Sequence, residues 1–186
     1  MRHSLQQIGR YFILFMAVSF LGWVVETLFF LLCYGRLYDR GFMTLPFCTI
    51  YGCSFLLLYF LAGAPSRKGL SLLGSRHQAF RHPLLLYGVL SALLTTLLEL
   101  VTGYFFHHVF GLRLWDYSAY RFHFRGYICL EYTLLWGLLL PLCMRFAFLP
   151  LKDRVFALPT AYARTLSGSL ALLTLTDWGV NFFIRI

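Results

Sequence analysis

The sequence predicts an all-α membrane protein: a polytopic helix bundle of about five transmembrane helices, one membrane domain over residues 1–186, with the amino terminus in the cytoplasm. Three observations predict it. Hydrophobic residues make up 60% of the chain and charged residues only 12%, against roughly 25% charged in soluble domains. Mean hydropathy is +0.72. The apolar residues gather into runs near 20 residues long, which leave no room for a sizeable soluble domain.

The first run, 11–33, is too long for a signal-peptide core and has no small-residue cleavage site behind it, so it is expected to remain as an anchor. The second, 42–63, carries Pro46 in its first turn, where a missing N–H costs little, so helix is expected throughout. The remaining runs are 84–108, 128–149 and 166–184. At 1.5 Å per residue each reaches across about 30 Å of hydrocarbon. The connector 64–83 is basic and rich in Gly and Ser; it reads as a loop with room for a short interfacial helix around Leu70–Leu73. The five cysteines lack paired metal spacing and read as small core hydrophobes.

The formal net charge of +9 does not indicate nucleic acid. The basic residues sit in short segments between apolar runs, so the lipid bilayer and its anionic headgroups are the expected partner. Counting Lys and Arg, ten fall on the amino-terminal side and six on the other, which places the amino terminus inside. With that orientation Glu26 lies roughly 10 Å and Glu99 roughly 14 Å below the outer surface. Asp177 and Glu131 also fall in the outer half, and Asp39 and Asp116 in the outer connectors. Six of the seven acids thus gather on one face.

Helical spacing aims most of these acids inward. The third run lines up Ser91, Thr95, Glu99, Thr102 and Gly103; the fifth lines up Thr174, Asp177 and Asn181; the first puts Ser19, Gly22 and Trp23 on the face of Glu26. Glu131 shares its side with Leu134, Leu135 and Leu138 instead. A carboxylate facing lipid costs about 2.5–3.5 kcal/mol on insertion scales, so such groups need partners, a proton or a wet cavity. Glu26, Glu99, Asp177 and Glu131 are therefore the candidate substrate-binding residues. The segment RLWDYSAYRFHFRG, 113–126, reads as a lid over the outer end of the bundle, its ions meeting the helix acids. Its candidate lid and ion-pair residues are Arg113, Trp115, Asp116, Tyr117, Ser118, Arg121 and Arg125, with Arg40 from the first connector; an ordinary interfacial aromatic belt is the plainer reading.

The stretches GWVVETLFF, GRLYDRGFMTLPFCTIYG, LLELVTGYFFHHVFGLRLWDYS, GYICLEYTLLWG and TDWGVN together resemble the CmpB-like family of membrane proteins, labelled ABC-transporter permease or ABC-transporter type IV. The resemblance implies a bacterial, multi-pass protein of the cell membrane with a transport role. It touches Glu26, Arg40, Glu99, Trp115, Asp116, Tyr117, Ser118 and Asp177. His107, His123 and Glu131 depart from the family pattern.

No G-x-x-x-x-G-K-[ST] occurs, so the chain does not itself cradle nucleotide phosphates, and an ATPase would be a separate polypeptide. Five spans are few for a complete permease, which points to a homo-oligomer or a second membrane subunit. The pairs Gly88 with Ala92 and Ser167 with Ala171 suit close helix packing. No cofactor or metal is expected: His107 and His108 are adjacent on a helix and point about 100° apart. Nothing resembles a nucleophile elbow or a Cys–His spacing, which leaves enzymatic action on lipid behind two other readings. Those are a transport component with an outward site for a cation or cationic solute, and an assembly protein whose lid a partner recognises.

Overall fold

The computed structural model describes residues 2–35, 42–65 and 83–185. The stretch expected to form a short helix at Leu70–Leu73 lies outside them, as do Arg36, Asp39 and Arg40. In chain order come α1 (Arg2–Tyr34), α2 (Thr49–Ala62), α3 (Pro83–Phe110), β1 (His123–Phe124), β2 (Ile128–Cys129), α4 (Leu130–Cys143), a π-helical turn (Met144–Phe148), α5 (Leu149–Ala157) and α6 (Thr160–Arg185). The fold is all-α, with one small antiparallel hairpin that pairs His123 with Cys129 and Phe124 with Ile128. Among the described residues, Leu5–Cys33, Leu84–Phe110 and Leu130–Ala157 are long and apolar enough to cross a membrane. By packing, the chain forms two compact units, Met1–Cys53 with Leu151–Ile186 and Ser54–Pro150, and the boundary falls inside α2.

In the first unit α1 packs on α6. Gly9 allows the close approach: a Cβ there would come within 3.0 Å of the Ser167 hydroxyl. Ile13, Val155 and Ala163 form a buried cluster flanked by Phe156, Leu166 and Leu170. The expected connector between the fourth and fifth runs is helical on both sides of a short turn at Leu158 and Pro159. A residue before proline is steered away from α geometry, so α5 stops there and α6 starts afresh. The Arg10 guanidinium closes this end by donating to the carbonyls of Phe156 (2.6 Å) and Leu158 (2.8 Å).

The second run differs from expectation, because helix begins at Thr49 and not at 42. Pro46 disfavours α geometry at Leu45, and the surrounding backbone finds partners elsewhere. The amide of Thr44 donates to the Asp177 carboxylate (3.1 Å) and that of Cys48 to the Ser19 carbonyl (3.0 Å). Phe42 and Met43 are buried, and Phe42 packs against Trp178 with ring centroids 4.9 Å apart. Gly22 and Gly52 let α1 and the start of α2 approach: Gly22 faces the Tyr51 ring, and a Cβ on Gly52 would meet the Phe15 carbonyl at 2.7 Å.

The second unit rests on α3 against α4. Along α3, Leu85, Val89, Leu93, Leu97, Val101 and Phe105 are exposed at steps of four, while Tyr87, Ser91, Thr95 and Glu99 are buried at the same interval. The inward line read from the sequence is the buried one. Pro141 has no N–H to give the carbonyl of Gly137. That carbonyl lies against Gly88, where a Cβ would come within 2.9 Å, and Ala92 packs on Gly137. The small pair expected at Gly88 and Ala92 thus packs within the chain. Thr96 and Thr133 join the two helices by a hydroxyl bond of 2.8 Å. Below Pro141 the π-helical turn brings Phe148 against Phe55 and Tyr59.

Candidate functional site

The best-formed site lies in the second unit, around Glu99. Ser91 and Thr95 satisfy their hydroxyls within their own helix, on the carbonyls four residues back (2.8 and 2.7 Å). Glu99 reaches outside it. Its Oε1 accepts from the Trp136 indole of α4 at 3.0 Å and from the Tyr117 hydroxyl of the lid at 3.4 Å. Glu99 is only 7% exposed and stands eleven residues before the end of α3, about 16 Å along the axis.

The segment 113–126, expected to form a lid, is built by aromatic contacts and a tight turn. Tyr117 stacks on Tyr132 at 4.9 Å, and Tyr120 meets Tyr132 edge-on at 5.4 Å. The Trp115 indole donates to the Tyr127 carbonyl (2.8 Å), and the Tyr127 hydroxyl is 2.6 Å from Nδ1 of His107. Trp115 and Tyr127 both rest on Gly103, where a Cβ would come within 3.3 and 3.2 Å of their rings. The chain reverses at Phe124–Tyr127, closed by a 3.0 Å bond from the Tyr127 amide to the Phe124 carbonyl. Its central residues Arg125 and Gly126 have φ of 52° and 75°, as a type I′ hairpin turn requires.

A second network holds the lid's charges. Arg113 pairs with Asp116 at 2.9 Å and donates to the Arg125 carbonyl at 2.8 Å. Asp116 also accepts from the amide of Ser118 (2.9 Å) and from its hydroxyl. Those Ser118 bonds first, then the charges of Arg113 and His123, hold the Asp116 carboxyl below the usual range. Gly126 lies in the middle, where a Cβ would meet Asp116, Arg113 and Ser118 at 2.5, 2.7 and 2.8 Å.

Loop arginines were expected to meet helix acids. Among the described residues, Glu99 meets an indole and a phenol, and Arg113 bonds within the 113–126 segment. Arg121 and Arg125 are exposed over the rings of their neighbours Phe122 and Phe124. Glu131 is exposed in the first turn of α4. Sequence reading missed Trp136. The available signal was its place eight residues inside the 128–149 run, away from any interfacial belt, where an indole N–H needs an acceptor.

In the first unit, Glu26 and Asp177 both attach to the non-helical stretch 42–48. Glu26 accepts from the Cys48 thiol (3.6 Å), and Asp177 from the amide of Thr44. The Thr44 hydroxyl and Asn181 amide lie 3.0 Å apart, and Thr174 bonds toward the Met16 sulfur at 3.7 Å, so the polar line of α6 faces its own unit. At Thr44, Asp177 satisfies one N–H of this non-helical backbone. Arg40, the remaining lid candidate, lies outside the described residues.

No curated protein and no solved structure matches the chain. A family model does, over residues 13–182, from within α1 to within α6 and including both networks described above. With three helices apolar enough to cross a bilayer, this is a membrane protein. It belongs to the family described as "Putative ABC-transporter type IV".

Proposed function

We propose that the chain is the permease-type component of a transport system, multi-pass in the bacterial cytoplasmic membrane, and that Glu99 receives a cation or cationic solute beneath the 113–126 lid. One observation carries this: a buried carboxylate in the middle of a span is grasped at one oxygen by a second helix and by a surface loop. An ionised carboxylate is costly among apolar side chains, and three elements converging on it is more than helix packing requires. Tyr117 links the carboxylate to the outer loop, so displacing the lid uncovers Glu99. Glu26 and Asp177 tie down the 42–48 stretch in their own unit. A separate ATPase or second membrane subunit, or a second copy of the chain, completes the assembly.

The test is flux in proteoliposomes, with Tl⁺ as the inorganic probe and ethidium as the organic one. Glu99→Gln keeps an acceptor for Trp136 and Tyr117, so the fold should persist while probe flux falls at least tenfold. Wild-type flux in that variant refutes the proposal. A second reading, an assembly protein, is favoured by one feature: Phe122, His123 and Phe124 are exposed at the tip, flanked by two exposed arginines. It predicts that Phe122→Ala with Phe124→Ala abolishes a defined complex and leaves flux untouched.

A further inference from the structure

The loop after α1 and the loop after α3 repeat one another. Residues 35–39 read GRLYD and residues 111–116 read GLRLWD. Each is followed by Arg-Gly-aromatic, as Arg40-Gly41-Phe42 and Arg125-Gly126-Tyr127, and then by Cys-x-x-Tyr, as Cys48 to Tyr51 and Cys129 to Tyr132. Each is preceded by a glutamate within a span, Glu26 nine residues before its glycine and Glu99 twelve before its own. The difference of three is close to one helical turn. Residues 36–41 enter here by sequence only.

The described residues place these motifs at the same structural points. α1 ends one residue before Gly35 and α3 one residue before Gly111. Both glycines have left-handed φ, 65° and 67°, and both bond their N–H to the carbonyl four residues back, Leu31 at 3.0 Å and His107 at 3.1 Å. The same helix stop is thus made twice. Likewise α2 starts at the residue after Cys48 and α4 at the residue after Cys129. In the first copy the cysteine donates to the glutamate, Cys48 to Glu26. The copies differ in spacing: eight residues stand between Asp116 and Arg125 against none between Asp39 and Arg40, and one between Tyr127 and Cys129 against five between Phe42 and Cys48.

We infer that α1–α2 and α3–α4 are two copies of one helix–loop–helix element set in the membrane with the same orientation, and that Glu26 is the first copy's counterpart of Glu99. Parallel internal repeats are a recognised feature of transporter folds. It explains why acids gather at one depth: two of them are the same residue twice. The assignment of a role to Glu26 rests on the transport reading, whereas the duplication does not.

The test has two arms on the full chain. A TEV protease site is inserted after Tyr38 and, separately, after Ala119, and sealed vesicles of known orientation are treated from one side only. Cleavage of both from the same side is expected; cleavage from opposite sides overturns the inference whatever flux shows. As a check that insertion has not disturbed the fold, Val109→Cys and native Cys33, each two residues before its stop glycine, should react with an impermeant maleimide from that same side. In the flux arm, Glu26→Gln should lose at least the tenfold expected of Glu99→Gln. Wild-type flux in Glu26→Gln beside a dead Glu99→Gln overturns the equivalence and leaves the transport reading standing. If neither variant changes flux, the transport reading falls and same-sided cleavage still upholds the duplication.

Discussion

Gly126 and Gly111 offer a controlled comparison within the second unit. Their φ values are 75° and 67°, so an alanine at either position meets the same backbone penalty, about 1–2 kcal/mol. Their surroundings differ. Nothing lies within 4 Å of a Cβ on Gly111, whereas a Cβ on Gly126 meets Asp116, Arg113 and Ser118 at 2.5 to 2.8 Å. Relieving that overlap breaks the Arg113–Asp116 pair and the Ser118 bonds. Arg113 and Asp116 are 39% and 46% exposed, so the pair itself contributes little. With the hydrogen bonds the added cost is about 1–2 kcal/mol. Gly126→Ala should therefore loosen the lid by about 2–4 kcal/mol in all. Hydrogen exchange reads this at the amides of Tyr117 and Tyr127, bonded to the carbonyls of Gly126 and Phe124. They should exchange roughly 5- to 30-fold faster in Gly126→Ala than in Gly111→Ala. Equal rates in the two variants would refute the role given to the Asp116 network.

Three further outcomes follow from the geometry. Asp116 is held below its usual pKa of 3.8, so its contribution is full above that value and is lost as pH falls through the lowered one; the protection of the lid amides, taken relative to their intrinsic exchange at each pH, should be flat from neutral pH down to about 4 and fall below it, and Asp116→Asn should abolish that fall. Arg10→Gln removes both bonds to the 156 and 158 carbonyls and should cost about 2–3 kcal/mol, seen as a lower melting temperature in detergent, with Arg10→Lys recovering only part. Gly88→Val drives a branched side chain into the Gly137 carbonyl and should separate α3 from α4, measured as loss of a cross-link between cysteines placed at Thr96 and Thr133; Gly88→Ala should show a smaller loss.

Where the structure was legible in the sequence, local chemistry alone decided the outcome. The buried line Ser91, Thr95 and Glu99 follows from one helix and a four-residue period, and no distant partner is needed to see it. The start of α2 was not legible. Pro46 is tolerated in a first turn, but it also steers Leu45 away from α geometry, and the amide of Thr44 is then taken by Asp177, far along the chain. The hairpin at 123–129 was hidden by Arg125, a residue that seldom accepts positive φ and so gives no turn signal. At Glu99 the described contact from the 113–126 segment is a phenol, Tyr117, while Arg113 bonds within its own loop. Sequence shows that charges are present; which of them are already spent depends on a turn geometry that it does not spell out.

The polar face of α6 bears on how the chain is made. This helix has 26 residues, yet it is not among those apolar enough to cross by composition, since Thr174, Thr176, Asp177 and Asn181 interrupt it. Hydrocarbon offers such a segment little reason to stay as it leaves the ribosome. Its side chains do have waiting acceptors and donors on α1 and the 42–48 stretch, both synthesised more than a hundred residues earlier. Retention of α6 is therefore expected to depend on α1 and the 42–48 stretch already in place, and a lesion at Thr44 should surface as a chain in which α6 is not retained.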